Sequence, residues 1–406
     1  MIVSTSFRWS ERLARLALTS LLLGGLTPAV ADDGMLDTLQ LHGFLSQALV
    51  ITDRNDFFGP SSSGGGSLKY TEIGANASLR PHQDVLIAAQ VLSRRAGGDG
   101  SDAKPELDYG LIDYQMVSNQ RRTFGLQAGR IKNPFGFYNQ TRDVAFTRPS
   151  ILLPQSIYFD RTRSLGLAGD GVTLYHEERL NSGALRLQAG FGKARIEDDV
   201  ERTLGLDRFP GSLTSDTSAI GQIRYEHDGG RIILALSTAN AKADYDSPRG
   251  GPGSGEFQFQ PWITSLQYNA ELWSLTAEYA TRKLSLEGFD AFPDVSNTGE
   301  SWYVQYTRRF LDDWQWLVRY DSLVNDRSDR SGSAFAASTG GTIPAHTQFA
   351  DDITFGLQWT PHPRVMLAGE YHHVDGTGWL PTQDTTDPAE TSRRWNMVLF
   401  QLSLRF

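Results

Sequence analysis

The chain has 406 residues, no cysteine and a formal net charge of −9, from 38 Lys and Arg against 47 Asp and Glu. That acidic balance argues against a nucleic-acid partner, and the absence of thiols removes disulfides and thiolate metal centres. No later apolar run approaches the length of a spanning helix, so a helical inner-membrane protein is excluded, while a mean hydropathy of −0.35 suits a barrel with half of each strand facing water.

The first segment reads as an export leader. Arg8, Arg12 and Arg15 form a basic n-region, Leu16 to Leu26 an apolar h-region, and Ala29-Val30-Ala31 a small-x-small cleavage signal with Ala29 and Ala31 at its two small positions. Cleavage there divides the chain into a leader, 1–31, and a single domain, 32–406, with no Pro/Ser-rich linker inside it.

Alternation of apolar and polar residues then recurs from end to end. It predicts strands at 40–50, 68–79, 84–94, 107–117, 122–130, 169–178, 184–193 and 217–227, and again at 230–240, 257–269, 272–283, 299–310, 314–323, 350–360, 364–374 and 393–406. After the first strand the connections alternate between short (80–83, 118–121, 179–183, 228–229, 270–271, 311–313, 361–363) and longer ones such as 95–106, 131–168, 194–216 and 324–349. A soluble β-sandwich has no reason to lengthen every other loop. A transmembrane barrel with short periplasmic turns and long external loops does.

The clearest strands assign faces. Trp273, Leu275, Ala277 and Tyr279 point one way and Ser274, Thr276 and Glu278 the other. In the same manner Arg186, Arg224 with Glu226, Arg319 with Asp321, Glu370 and Arg405 are expected on the lumen wall. A charge on the lipid face costs roughly 2–4 kcal/mol at midplane, which makes the inward placement nearly compulsory. The strands at 40–50 and 107–117 read ambiguously and receive no face. Apart from Trp9, every Trp lies at or after Trp262, several near strand ends as an aromatic girdle requires. The early strands offer Gly74, Ala75, Ala77, Ala88, Ala89 and Ala128 instead, which suggests close packing of one protein wall against another.

The last strand ends on alternating Phe400, Leu402, Leu404 and Phe406. With this ending, the strand count and the loop alternation, the chain resembles the sixteen-stranded porins of Gram-negative outer membranes. The resemblance implies an all-β antiparallel barrel of about sixteen strands, with its third long loop folded into the lumen. It also implies a terminal strand read by the barrel-assembly machinery, periplasmic chaperones during biogenesis, a homotrimer in outer-membrane lipid, and no cofactor. Gly129-Arg-x-Lys-x-Pro-Phe-Gly136 is similar to a stretch of the phosphate-selective porins.

The third long loop, 131–168, should set the chemistry. Lys132, Arg142, Arg148, Arg161 and Arg163 outnumber Asp143 and Asp160, so these residues are the candidate pore constriction. Guanidinium groups focused in a narrow low-dielectric passage would lean the pore slightly towards anions, against which stand Glu226, Glu278, Asp321 and Glu370. Phe135, Phe137, Tyr138, Phe146, Tyr158 and Phe159 offer a sliding surface for apolar solutes, or a hydrophobic anchor for the loop. The expected function is passive diffusion of small hydrophilic solutes; the alternative is a substrate-specific or plugged barrel for apolar or aromatic solutes. An enzyme is not expected, since no H-E-x-x-H, Walker loop or G-x-S-x-G turn occurs. Nor is a metal site, because His372 and His373 are adjacent on one strand and face opposite ways.

Overall fold

A computed structural model describes residues 36–98, 103–248, 251–385 and 387–406; the expected leader, with Ala29 and Ala31, lies outside them. The first half of the sheet runs β1 (Gln40–Thr52), β2 (Ser67–His82), β3 (Val85–Ala96), β4 (Pro105–Ser118), β5 (Arg122–Lys132), β6 (Ala168–Leu180), β7 (Gly183–Ala194), β8 (Ser212–Ser215) and β9 (Thr217–His227). The second half runs β10 (Ile232–Asp246), β11 (Gly255–Asn269), β12 (Trp273–Glu287), β13 (Val295–Phe310), β14 (Trp314–Val324), β15 (Phe349–His362), β16 (Val365–Gly376) and β17 (Arg394–Arg405). Strands β8 and β9 are one stave interrupted at Asp216, both pairing with β10. Neighbours in sequence are antiparallel neighbours in space, and β1 pairs with both β2 and β17. The result is a closed barrel of sixteen staves, as the alternation predicts.

Closure fixes the chain end. Phe44 sits opposite Arg405, and Phe406 extends the ladder by exchanging both backbone bonds with Gly43, at 3.0 and 3.1 Å. The ring of Phe406 lies so close over Gly43 that a Cβ there would come within 2.1 Å of it. Glycine is therefore what allows the terminal aromatic to lie against the wall.

The two faces separate cleanly. Leu275, Tyr279, Val304, Ile353, Phe355, Phe400 and Leu402 are exposed on the outside, where a bilayer is their solvent, while Thr276, Glu278, Gln305, Arg319 and Asp321 are buried within. Trp273, Tyr306 and Trp316 form a run of ring contacts 5.8 and 5.3 Å apart beside the short turns, and Trp314 stacks on Trp359 at 5.4 Å. Those rings form one edge of the belt. Among the short turns, the four residues between His227 and Ile232 include Asp228, Gly229 and Gly230 at positive φ (50°, 64° and 90°), a left-handed run that the two glycines make possible.

The ambiguity of 107–117 has a physical cause. β4 carries one extra residue where Tyr109 and Leu107 face Gln90 and Val91, and another where Gln115 and Val117 face Gly125 and Phe124, and each slips its inside–outside phase. β1, by contrast, alternates strictly from Phe44 to Thr52, and the extra residue at Ala48 and Val50 belongs to β2. The small residues of the early strands also divide between the faces. Ala75, Ala77 and Ala89 face outwards, but Gly74 shares the lumen face with Glu72 and lies beneath the ring of Phe44, and Ala88 shares that face with Gln90.

Two hydrophobic clusters hold the external loops. Phe57, Phe58, Trp379 and Trp395 pack with Ile151 and Leu152 from the long loop. Val200, Leu206, Tyr245, Phe257 and Phe289 pack with Leu165 at its far end. Burial of each such side chain stabilises by about 1.5–3 kcal/mol, so both ends of the long loop are seated on folded neighbours.

Candidate functional site: the strap across the lumen

The chain between β5 and β6 crosses the lumen and docks on the far wall, and the docking chemistry is mostly carboxylate to amide. Glu278 on β12 is 1% exposed and accepts four hydrogen bonds: Tyr158 Oη at 2.6 Å, Tyr303 Oη at 2.8 Å, Ser265 Oγ at 2.5 Å and the Phe137 backbone N–H at 3.0 Å. A buried carboxylate is tolerable only when its lone pairs are this fully used. Glu370 on β16 accepts from the backbone N–H groups of Ile151 and Leu152, the latter at 3.1 Å. Asp321 on β14 accepts from Ser156 N–H at 3.4 Å. These strap segments make no regular ladder, so without the wall carboxylates their amides would be orphaned in a dry place.

Ion pairs close the other side. Arg148 reaches Glu72 on β2 at 2.9 Å, and Arg94 on β3 bridges Glu72 at 3.2 Å and Asp160 at 2.6 Å. Lys132 pairs with Asp108 on β4 at 2.5 Å and with Asp143, which also takes Arg163. Arg142 lies 3.9 Å from Asp160 and donates to the Tyr158 carbonyl at 3.0 Å. Among wall cations, Arg319 donates to Ser150 Oγ at 3.1 Å, and Arg282 lies over the Phe159 ring at 4.5 Å and donates to the Ser156 carbonyl at 3.3 Å. The basic loop thus meets a wall whose contacting charges are balanced, Glu72, Asp108, Glu278, Asp321 and Glu370 against Arg94, Arg224, Arg282, Arg319 and Arg405, with the carboxylates taking most of the loop's amides and cations.

The expected constriction residues come together, but inside the docking interface. Lys132, Arg142, Asp143 and Arg148 are buried, and Asp160, Arg161 and Arg163 are at most partly exposed. Arg161 has no carboxylate partner among the described residues and donates to the Gly378 carbonyl at 2.9 Å; burial pulls its guanidinium down to about 10. Of the expected lumen-wall residues, Glu278, Arg319, Asp321 and Glu370 are buried under the strap. Arg186, Arg224, Glu226 and Arg405 remain in reach of water near the short-turn end. There Arg186 lies over Tyr175 and Arg224 over Phe137, both at 5.6 Å, Arg224 pairs with Glu226 at 2.8 Å, and Arg405 covers Phe146 at 4.3 Å. Of the loop aromatics, Phe135, Tyr158 and Phe159 are packed in, while Phe137 and Phe146 line the partly open side.

Sequence reading missed Glu72, Arg94, Asp108, Arg282 and His372 as site residues. Glu72 was legible from alternation, since it shares a face with Tyr70 and Gly74. Asp108 was hidden by the slipped phase of β4. His372 is enclosed by Asp352 Oδ2 at 2.8 Å and Glu370 Oε2 at 3.3 Å, while His373 is exposed. Among the described residues no group of three or more His, Asp or Glu is arranged to hold a metal ion.

This architecture, a closed sixteen-stave barrel with its third long loop strapped across the lumen, is the fold of the Gram-negative outer-membrane porins. The outer membrane channel DcaP of Acinetobacter baumannii superposes with a TM-score of 0.56 at 11% identity, over 91% of this chain and 97% of that one. Salmonella typhi OmpF, solved with daunomycin, gives 0.55 at 11% over 91% and 97%. Vibrio cholerae OmpT in its trimer form gives 0.54 at 9% over 91% and 99%. No family model matches the chain, and no curated protein matches its sequence.

Proposed function

We propose that the protein is an outer-membrane porin of a Gram-negative bacterium, exported by a leader cleaved after Ala31, which lets small hydrophilic solutes diffuse passively. The observation that carries this reading is a closed wall, apolar outside and polar within, narrowed by an internally docked loop. The solute gradient supplies the driving force; no catalysis and no cofactor are needed. Single-channel recording of the purified barrel in a planar bilayer tests it: steady ohmic steps support the reading, and silence from a folded barrel refutes it.

The slight anion preference rests on Arg186, Arg224 and Arg405, the cations left in reach of water, against Glu226. The Gly129–Gly136 stretch adds a suggestion of kinship with phosphate-selective porins; inorganic phosphate that leaves chloride current untouched would remove it. A second reading, a substrate-specific or plugged barrel for apolar or aromatic solutes, is favoured by the depth of the docking. Ser237, Ser301 and Thr354 on the wall are fully covered, and Phe137 and Phe146 line the remaining side. Very small conductance with uptake of an aromatic solute would select it.

The same proposal includes a homotrimer in contact through β1 to β5. Its support is the trimer form of Vibrio cholerae OmpT, the outward Ala75, Ala77 and Ala89, and the absence of Trp before Trp262 in the mature chain. Crosslinks between copies that fall after Trp262 would sink that contact. Barrel-assembly machinery reading Phe400, Leu402, Leu404 and Phe406, periplasmic chaperones and outer-membrane lipid complete the proposed partners.

A further inference from the structure

Above the strap, on the side of the long loops, lies a cavity of about 590 Å³ with a dense and nearly balanced charged lining. Its cations are Arg94, Lys104, Arg163, Arg195 and Arg202; its carboxylates are Glu106, Asp108, Asp160, Glu197, Asp198 and Asp199. Such a lining attracts neither sign strongly at a distance but holds steep local fields at close range.

Most of these charges are already engaged. Arg94 holds Asp160, Arg163 holds Asp143, Lys132 holds Asp108, and Arg195 bridges Glu106 at 3.2 Å and Glu197. Asp199 accepts the Ser164 N–H at 2.9 Å as well as its hydroxyl. The rest, Lys104, Asp198 and Arg202, have no ion-pair partner among the described residues, and only Asp198 and Arg202 among them share one element and carry opposite charges. They stand four residues apart on the helix Asp198–Leu204, both on the cavity. That spacing places them on one helical face a turn apart. The helix is not a loose flap, because Val200 is buried in the cluster with Leu165, Leu206 and Tyr245, and Glu201 accepts the Leu213 N–H at 2.6 Å.

We propose that this vestibule captures zwitterionic solutes of the amino-acid or short-peptide class, the ammonium facing Asp198 and the carboxylate facing Arg202. The proposal rests on the channel reading above and names the solute class it favours. A solute of single charge meets one of the two partners and is repelled by the other, and a neutral sugar engages neither charge. A zwitterion satisfies both without carrying net charge into the passage below.

The test is osmotic swelling of liposomes holding the full-length barrel, with diglycine compared against arabinose, each protein normalised to its own arabinose rate. Wild type should favour diglycine, and the double variant Asp198→Asn/Arg202→Gln should lower the ratio by about threefold, the scale expected of two partly exposed charge contacts. Diglycine blocked at both ends should show no preference in either protein, and the swap Asp198→Arg/Arg202→Asp should restore the preference for the free dipeptide. An equal diglycine-to-arabinose ratio in wild type and double variant overturns the capture site while arabinose entry leaves the channel reading standing. Liposomes that admit neither solute overturn the channel reading itself.

Discussion

Removing the Glu278 carboxylate should release the strap. In Glu278→Ala the hydroxyls of Tyr158, Tyr303 and Ser265 and the N–H of Phe137 lose their common acceptor. The Phe137 N–H keeps a second acceptor in Tyr158 Oη at 2.8 Å, so three donors are orphaned; at about 1 kcal/mol each, the low end of the usual range, they amount to roughly 3 kcal/mol of docking energy. That corresponds to roughly a hundredfold rise in the population of the undocked loop. The conservative Glu278→Gln should be milder. Its oxygen can still accept from the Phe137 N–H and the Ser265 hydroxyl while its amide donates to Tyr303 Oη, so only the Tyr158 hydroxyl, whose oxygen already accepts the Phe137 and Tyr138 N–H groups, loses its acceptor. The assay is trypsin on the folded barrel in detergent. Arg142 is buried in the wild type and should resist cleavage, whereas the alanine variant should be nicked after it and show larger, noisier conductance steps. If Glu278→Ala stays protease-resistant with wild-type conductance, the wall carboxylate is not what holds the loop, and the reasoning fails.

Other perturbations probe separate links. Replacing Gly43 by Leu must displace the terminal ring, for which a cost of about 1–3 kcal/mol is expected, read as a lower urea midpoint of the folded barrel. Leu275→Arg puts a charge on the lipid face just inside the aromatic belt and should lower stability in lipid by about 1 kcal/mol, whereas Ser274→Arg, one residue away and facing water, should not. Equal losses in the two variants would contradict the face assignment. Arg186→Gln with Arg224→Gln should move the reversal potential in a KCl gradient towards cation preference; an unchanged potential would show that these arginines do not face the ion path.

Fold and site were not equally legible. Every stave follows from period-two alternation, because lipid outside and water inside force the two faces apart along the whole strand. The site depends on contacts across the lumen, and alternation says only that Glu278 and Glu370 point inwards, not what they meet. The positive excess of 131–168 was visible, but whether it met solutes or wall carboxylates depended on the fold of an irregular loop with no period to read. The two register slips of β4 show the same limit at smaller scale. One extra residue in β4 turned Asp108, the partner of Lys132, from a readable wall residue into an ambiguous one.

The seam between β1 and β17 has a consequence for how the molecule comes into being. It joins Phe44 to Arg405, nearly the full length of the sequence apart, so no part of that ladder can form until almost everything else is in hand. Before then the sheet has two raw margins, each a row of unpaired amides and carbonyls that hydrocarbon cannot solvate. Entry into the bilayer is thereby coupled to the arrival of the last strand. A partly built ring is held at the water's edge, and only a ring that can shut is admitted.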